Sequence, residues 1–133
     1  MMLKELVEQI TNRRGKAPRI TTGAGRKRVL GMTAAERVVY AQLKDKGAHV
    51  AQQVRNLFML DGGGMYIPDF IVFGPGPARV IEVKGGYRGP GAEQGYERYK
   101  RAALQYSGKG AFFFELWTVR SGQVESIDCW EEH

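Results

Sequence analysis

The sequence predicts one α/β domain whose elements run in the order αβββαββ. Three observations predict it: a helix-capping signature at Thr33 to Glu36, several runs of β-forming residues separated by glycine and proline, and alanine and tyrosine positions from 92 to 106 spaced by three and four. A chain of 133 residues is long enough to bury roughly two thirds of its unfolded surface in a single core. No internal repeat or second zone of composition breaks it. The organisation expected is therefore a basic N-terminal helix and arm over residues 1–31, followed by a single domain over 32–133.

The first stretch, Leu3 to Arg13, reads as a short helix with Leu3, Leu6, Val7 and Ile10 on one stripe. It gives way to a segment rich in glycine and charge, Arg13 to Arg19 and Gly23 to Arg28, which reads as a basic arm. Such a run is either a solvated tail or an element that contacts a polyanion. Thr33-Ala34-Ala35-Glu36 then has the form of a capping box, and Gly47 stands where a left-handed residue would close the helix, so helix A is expected from about Thr33 to Lys46. His49 to Leu60 reads as extended. The Asp61-Gly62-Gly63-Gly64 turn leads into a strand from Met65 to Phe73, and Gly74-Pro75-Gly76-Pro77 turns the chain into a short strand, Arg79 to Lys84. After the glycine-rich loop 85–91, Ala92, Tyr96, Tyr99, Ala103 and Tyr106 mark helix B. Two more strands follow, Ala111 to Val119 and about Gln123 to Trp130, joined at Ser121-Gly122.

Composition narrows the function classes. Lys and Arg outnumber Asp and Glu by 20 to 14, a net charge of +6 that favours a polyanionic partner. Cys129 is the only cysteine, which excludes an internal disulfide framework and the usual cysteine-cluster zinc sites. No apolar run approaches the ~20 residues that span a bilayer, so no membrane partner and a cytoplasmic location are expected. His49 has no second histidine or cysteine nearby and reads as a surface residue at a strand start. Ser107 and Ser121 lack an assignable base, which argues against serine-nucleophile chemistry.

The residues that point to chemistry lie on two strands. Side chains alternate along a strand, so Val80, Glu82 and Lys84 share one face while Ile81 and Val83 share the other. A carboxylate and an ammonium side by side among apolar neighbours are costly to desolvate unless they pair, bind a ligand or sit at a solvated strand end. Asp69 stands within the apolar run Tyr66 to Phe73. Pairing of this strand with 79–84 through the Gly-Pro turn sets Asp69 and Glu82 nearly opposite each other, each about seven residues from the turn centre. Two carboxylates so placed repel unless a cation lies between them. A hard divalent cation held by carboxylates, beside a fixed positive charge, is what phosphodiester hydrolysis requires.

Pro68-Asp69 followed by Glu82-Val83-Lys84-Gly85 resembles the PD-(D/E)xK nuclease superfamily, with Glu36 on a preceding helix as the further acid that many members carry. The likeness covers roughly Thr33 to Val119 and is closest to small phage-associated, Holliday-junction-resolvase-like branches. The resemblance implies a restriction-endonuclease-like fold, a mixed four- or five-stranded sheet with flanking helices. It also implies a Mg²⁺ or Mn²⁺ site and metal-dependent endonucleolytic cleavage of DNA, structure-specific or junction-resolving, in a bacterial or phage-infected cell. Position by position, Asp69 and Glu82 correspond to the metal ligands, Lys84 to the lysine that orients water or stabilises charge, and Glu36 to the helix acid.

Each assignment has a plainer alternative. Asp69 could be a solvated strand-entry acid, and Glu82 with Lys84 an exposed ion pair. Glu36 has a cap to complete, yet it also shares the stripe of Val39, Tyr40 and Leu43. Arg98, Lys100 and Arg101 on helix B, Arg88 in the loop and Arg26, Lys27 and Arg28 in the arm would supply phosphate contacts, or simply solvated charge. A two-fold DNA substrate favours a homodimer. The rival functions are a nuclease-like module that binds nucleic acid without cutting it, and a basic structural or assembly protein.

Overall fold

A computed structural model describes residues 31–86 and 90–131. The expected helix Leu3 to Arg13, the basic arm with Arg26, Lys27 and Arg28, and Arg88 lie outside the described residues. Helix α1 spans Ala34–Asp45, followed by strands β1 (His49–Gln52), β2 (Phe58–Met59), β3 (Met65–Tyr66), β4 (Phe70–Phe73) and β5 (Ala78–Lys84). Helix α2 (Pro90–Tyr106) and strands β6 (Phe112–Arg120) and β7 (Gln123–Cys129) complete the order.

The capping box forms as the local sequence dictates. The Thr33 N–H donates to Glu36 Oε1 at 3.0 Å, and the Glu36 N–H donates to Thr33 Oγ1 at 3.2 Å. At the other end Gly47 takes φ +74, the left-handed geometry that lets the chain leave the helix and turn into β1.

The strands form a mixed five-stranded sheet in the order β1-β4-β5-β6-β7. Only β5 and β6 are parallel, because α2 carries the chain across between them; the other neighbours are antiparallel. The last hairpin turns on Ser121 (φ 51) and Gly122 (φ 76), the pair of left-handed residues that suits a two-residue loop between twisted strands.

Two apolar layers fill the faces of the sheet. Val39 and Leu43 of α1 pack with Phe70, Val72, Ile81, Trp117 and Val119. Tyr99, Ala102 and Ala103 of α2 pack with Ile71, Val80 and Phe114 on the opposite face. Consecutive residues of β5, Val80 and Ile81, thus enter different cores and both are fully buried. No helix among the described residues is long and apolar enough to cross a membrane.

The strand count departs from the expected αβββαββ order in two places. The extended segment from His49 to Leu60 breaks after β1, where Gln53 (φ 46) and Asn56 (φ 65) turn the chain aside. The strand expected over Met65 to Phe73 is also interrupted, at Ile67-Pro68-Asp69. Proline has no N–H for a ladder and is confined to strand starts, edges and bulges, so β3 ends before it and β4 begins after it. The outcome is a separate two-stranded ribbon, β2 with β3, tied to α2. Arg101 Nη2 donates to the carbonyls of Asp61 (2.8 Å) and Gly63 (3.2 Å), Gln105 Nε2 to that of Met59 (3.0 Å), and the Tyr106 hydroxyl to Met59 O (2.6 Å).

Candidate functional site

The β4–β5 register sets Phe70 opposite Ile81, so one step further out Asp69 faces Glu82. The two carboxylates anticipated from the turn count do meet, at the point where β4 starts and β5 nears its end. Asp69 lies just before β4, and its side chain takes over where the strand ladder stops: Oδ2 accepts the Val83 N–H at 2.7 Å. That bond holds the carboxylate in the line of the sheet.

Glu82 projects on the α2 side of β5. Its Oε1 accepts the Tyr66 hydroxyl at 2.7 Å, a bond delivered by the β2–β3 ribbon. Its Oε2 lies against α2 at Gly95, where a Cβ built on the glycine would stand 3.3 Å away. Glu36 completes the capping box and also lies within hydrogen-bonding reach of Asp69. The cap is thus formed, and the same side chain faces the Asp69 end of the sheet, as its place on the stripe of Val39, Tyr40 and Leu43 suggested.

The electrostatics follow from crowding of like charge. Both acids keep some accessible surface at the sheet end but are enclosed by protein on most sides, and that enclosure governs the cost of charging them. Burial, then the neighbouring Glu82 and Glu36 charges, hold the Asp69 carboxyl well above the ordinary aspartate range, against the opposing pull of the Val83 N–H. Burial lifts Glu82 to about 8; the Tyr66 hydrogen bond works the other way and the Glu36 charge adds to the rise. Tyr66 is pushed well above the usual phenol value, first by its own burial and then by Glu82 and Asp69. Among the described residues no lysine or arginine forms an ion pair with Glu36, Asp69 or Glu82.

Lys84 sits at the exposed end of β5, two residues beyond Glu82 on the same face. The alternative of a Glu82–Lys84 ion pair is not what forms. The Lys84 ammonium lies 5.7 Å from the centroid of the Tyr96 ring, and Lys100 Nζ lies 4.8 Å from the same ring. The strand can stop here because Gly85 passes tightly under α1: a Cβ at 85 would stand 2.9 Å from the Ala35 Cβ.

The basic residues of α2 are less available than their sequence positions suggested. Arg101 grips the ribbon carbonyls, and Lys100 pairs with Glu97 at 2.8 Å. Arg98 and Arg101 line a shallow groove that they share with Glu93, Gln94 and Glu97, so acids interrupt the expected phosphate track. His49 is exposed and packs edge-on to Phe73, as a strand-start surface residue would.

A divalent cation suits this donor set. Two desolvated carboxylates face each other with raised proton affinity, the state that a cation between them would relieve. Among the described residues no three His, Cys, Asp or Glu side chains form a ready-made cage. Mg²⁺ commonly binds one or two carboxylates and keeps waters and substrate phosphate oxygens as its other ligands.

Two participants escaped sequence reasoning. Tyr66 reaches Glu82 only because the Pro68 break frees β3 to join the ribbon, and no local pattern announces that. Gly95 did carry a signal, since a glycine inside a helical pattern calls for a spatial reason. Compared with known proteins, the chain matches no protein-family model, and no curated protein matches it.

Proposed function

We propose that this protein is a Mg²⁺- or Mn²⁺-dependent DNA endonuclease of the PD-(D/E)xK type, with a restriction-endonuclease-like core. The observation that carries the reading is the facing pair Asp69 and Glu82 at the end of β5, desolvated and without a cationic partner among the described residues, with Lys84 two residues on.

In this reading Asp69 and Glu82 hold the cation. Val83 N–H orients Asp69, and the Tyr66 hydroxyl orients Glu82. When bound, the cation supplies Lewis-acid stabilisation of phosphoryl charge and makes a water more acidic. Lys84, exposed beside the pair, orients the attacking water or stabilises charge on the phosphate. Glu36 crowds Asp69 with negative charge and so sharpens the demand for a cation. The arm residues Arg26, Lys27 and Arg28, with Arg88 and Arg98, would contribute backbone contacts that set affinity rather than sequence preference. A symmetric dimer would present two such sites to a two-fold DNA substrate.

The test is cleavage of linear duplex, single-stranded, flap and four-way-junction DNA in Mg²⁺, Mn²⁺ or EDTA. Wild type should cut at least one substrate only with metal, and Asp69→Ala and Lys84→Ala should lose cutting while folding and binding DNA. Metal-independent cutting, or cutting untouched by both substitutions, would overturn the assignment. DNA binding without any cutting would mark a non-cleaving module with the same fold.

A further inference from the structure

We propose that Tyr66 and Gly95 together determine which oxygen of Glu82 faces a divalent cation, Tyr66 by holding Oε1 and Gly95 by keeping the space beside Oε2 open. The inference rests on the reading of Asp69 and Glu82 as cation ligands. It makes Tyr66 a positioning residue and gives Gly95 a role in the shape of the site.

Tyr66 is 1 % exposed, and a phenolic hydroxyl buried that deeply needs a partner. Its partner is Glu82 Oε1 at 2.7 Å, the distance of a strong O–H to carboxylate bond. The ring is held on both sides of its own chain: it packs against Phe58 across the ribbon and against Tyr99 of α2. The ribbon is in turn clamped by Arg101, Gln105 and Tyr106. The hydroxyl is thus fixed from outside the strand that carries Glu82, and it restrains the rotation of that carboxylate. Oε1 keeps a second lone pair, but Oε2 accepts no hydrogen bond among the described residues and is the oxygen more open to a ligand.

Gly95 borders that second oxygen. It lies inside the 17-residue helix α2, where glycine weakens the helix relative to alanine and where its φ is one that any residue adopts. Backbone freedom therefore does not account for it. Space does: an added Cβ would stand 3.3 Å from Glu82 Oε2, tighter than an ordinary contact and against an atom whose movement Tyr66 restrains. Gly91 of the same helix offers the contrast, since a Cβ there would meet nothing within 4 Å. Carboxylates that ligate metals are commonly held by a hydrogen-bonding partner of this kind.

The experiment measures Mn²⁺ binding to the full chain without DNA, by the loss of the free-ion electron paramagnetic resonance signal, alongside thermal melting. Wild type should bind Mn²⁺ and Asp69→Asn should not. Tyr66→Phe should weaken binding about tenfold or more. Gly95→Ala should weaken Mn²⁺ binding while leaving the melting temperature near that of wild type, because the helix gain from alanine offsets the crowding of Oε2; a merely structural glycine would not lose affinity without losing stability. Gly91→Ala should leave Mn²⁺ affinity unchanged. If Tyr66→Phe fails to fold, Gly95→Ala decides alone. Unchanged affinity in Tyr66→Phe and Gly95→Ala would overturn the inference and leave the cation site standing; absence of Mn²⁺ binding by wild type would overturn the site and the inference together.

Discussion

Replacing Glu82 by glutamine should stabilise the metal-free protein at alkaline pH and change little at pH 5. In the folded state Glu82 titrates at about 8, against 4.5 for an ordinary glutamate, with burial as the largest cause. The folded protein therefore binds a proton that the unfolded chain has already released, over the window between those two values. Stability is full below the lower value and falls as pH rises toward the upper one, where the native carboxyl must also ionise. At ~1.4 kcal/mol per tenfold in proton affinity, the charge costs the fold on the order of 3–5 kcal/mol at pH 8.5. Glutamine keeps an oxygen for the Tyr66 hydroxyl and carries no charge, so it escapes that loss and also relieves Asp69, which Glu82 crowds. The assay is urea unfolding in EDTA from pH 5 to 8.5. Wild type should lose stability steadily across the range and Glu82→Gln much less. Mg²⁺ should flatten the wild-type curve, because a cation that binds only the folded, ionised pair stabilises it. Parallel curves for the two proteins would refute the argument that burial and like charge strain this site.

Two further predictions concern the frame around it. Gly85→Ala should cost about 1–3 kcal/mol by forcing β5 away from α1, since its Cβ would meet that of Ala35 at 2.9 Å; denaturant unfolding with no loss would show that the close approach yields easily. Arg79→Met should cost about 2 kcal/mol, because it leaves buried Glu115 with only the Trp117 indole N–H (2.9 Å) in place of a two-bonded guanidinium at 2.8 and 2.9 Å, softened by the 38 % exposure of the Arg79 side chain. Pairing it with Glu115→Leu should recover most of the loss in the same assay, and a double variant as unstable as the single one would rule out an unpaired charge as the cause.

Helix α1 was legible to within a residue because its signals are local: Thr33 and Glu36 satisfy each other three residues apart, and Gly47 supplies the left-handed exit. The facing of Asp69 and Glu82 was legible for a related reason. A hairpin whose turn is marked by glycine and proline has few registers, and the period of two decides which side chains share a face. The same logic failed over Met65 to Phe73, where β-formers suggested one strand and a single missing N–H at Pro68 made two. On α2 the helical spacing located the helix, but only the folded ribbon supplied the carbonyls that engage Arg101 and Gln105.

By itself, then, the sequence determined the α/β class, the helix ends, the strand faces and the meeting of two acids with a lysine beside them, since all of these depend on short spacings and on residue chemistry. Tertiary structure alone decided how much those acids cost to charge, that Lys84 leans toward Tyr96 instead of pairing with Glu82, and that Tyr66 and Gly95 border the two oxygens of one carboxylate. Burial and hydrogen-bond partnership are properties of what surrounds a group, and around Glu82 those surroundings come from β3 and α2, elements brought to it only by the packing of the whole sheet.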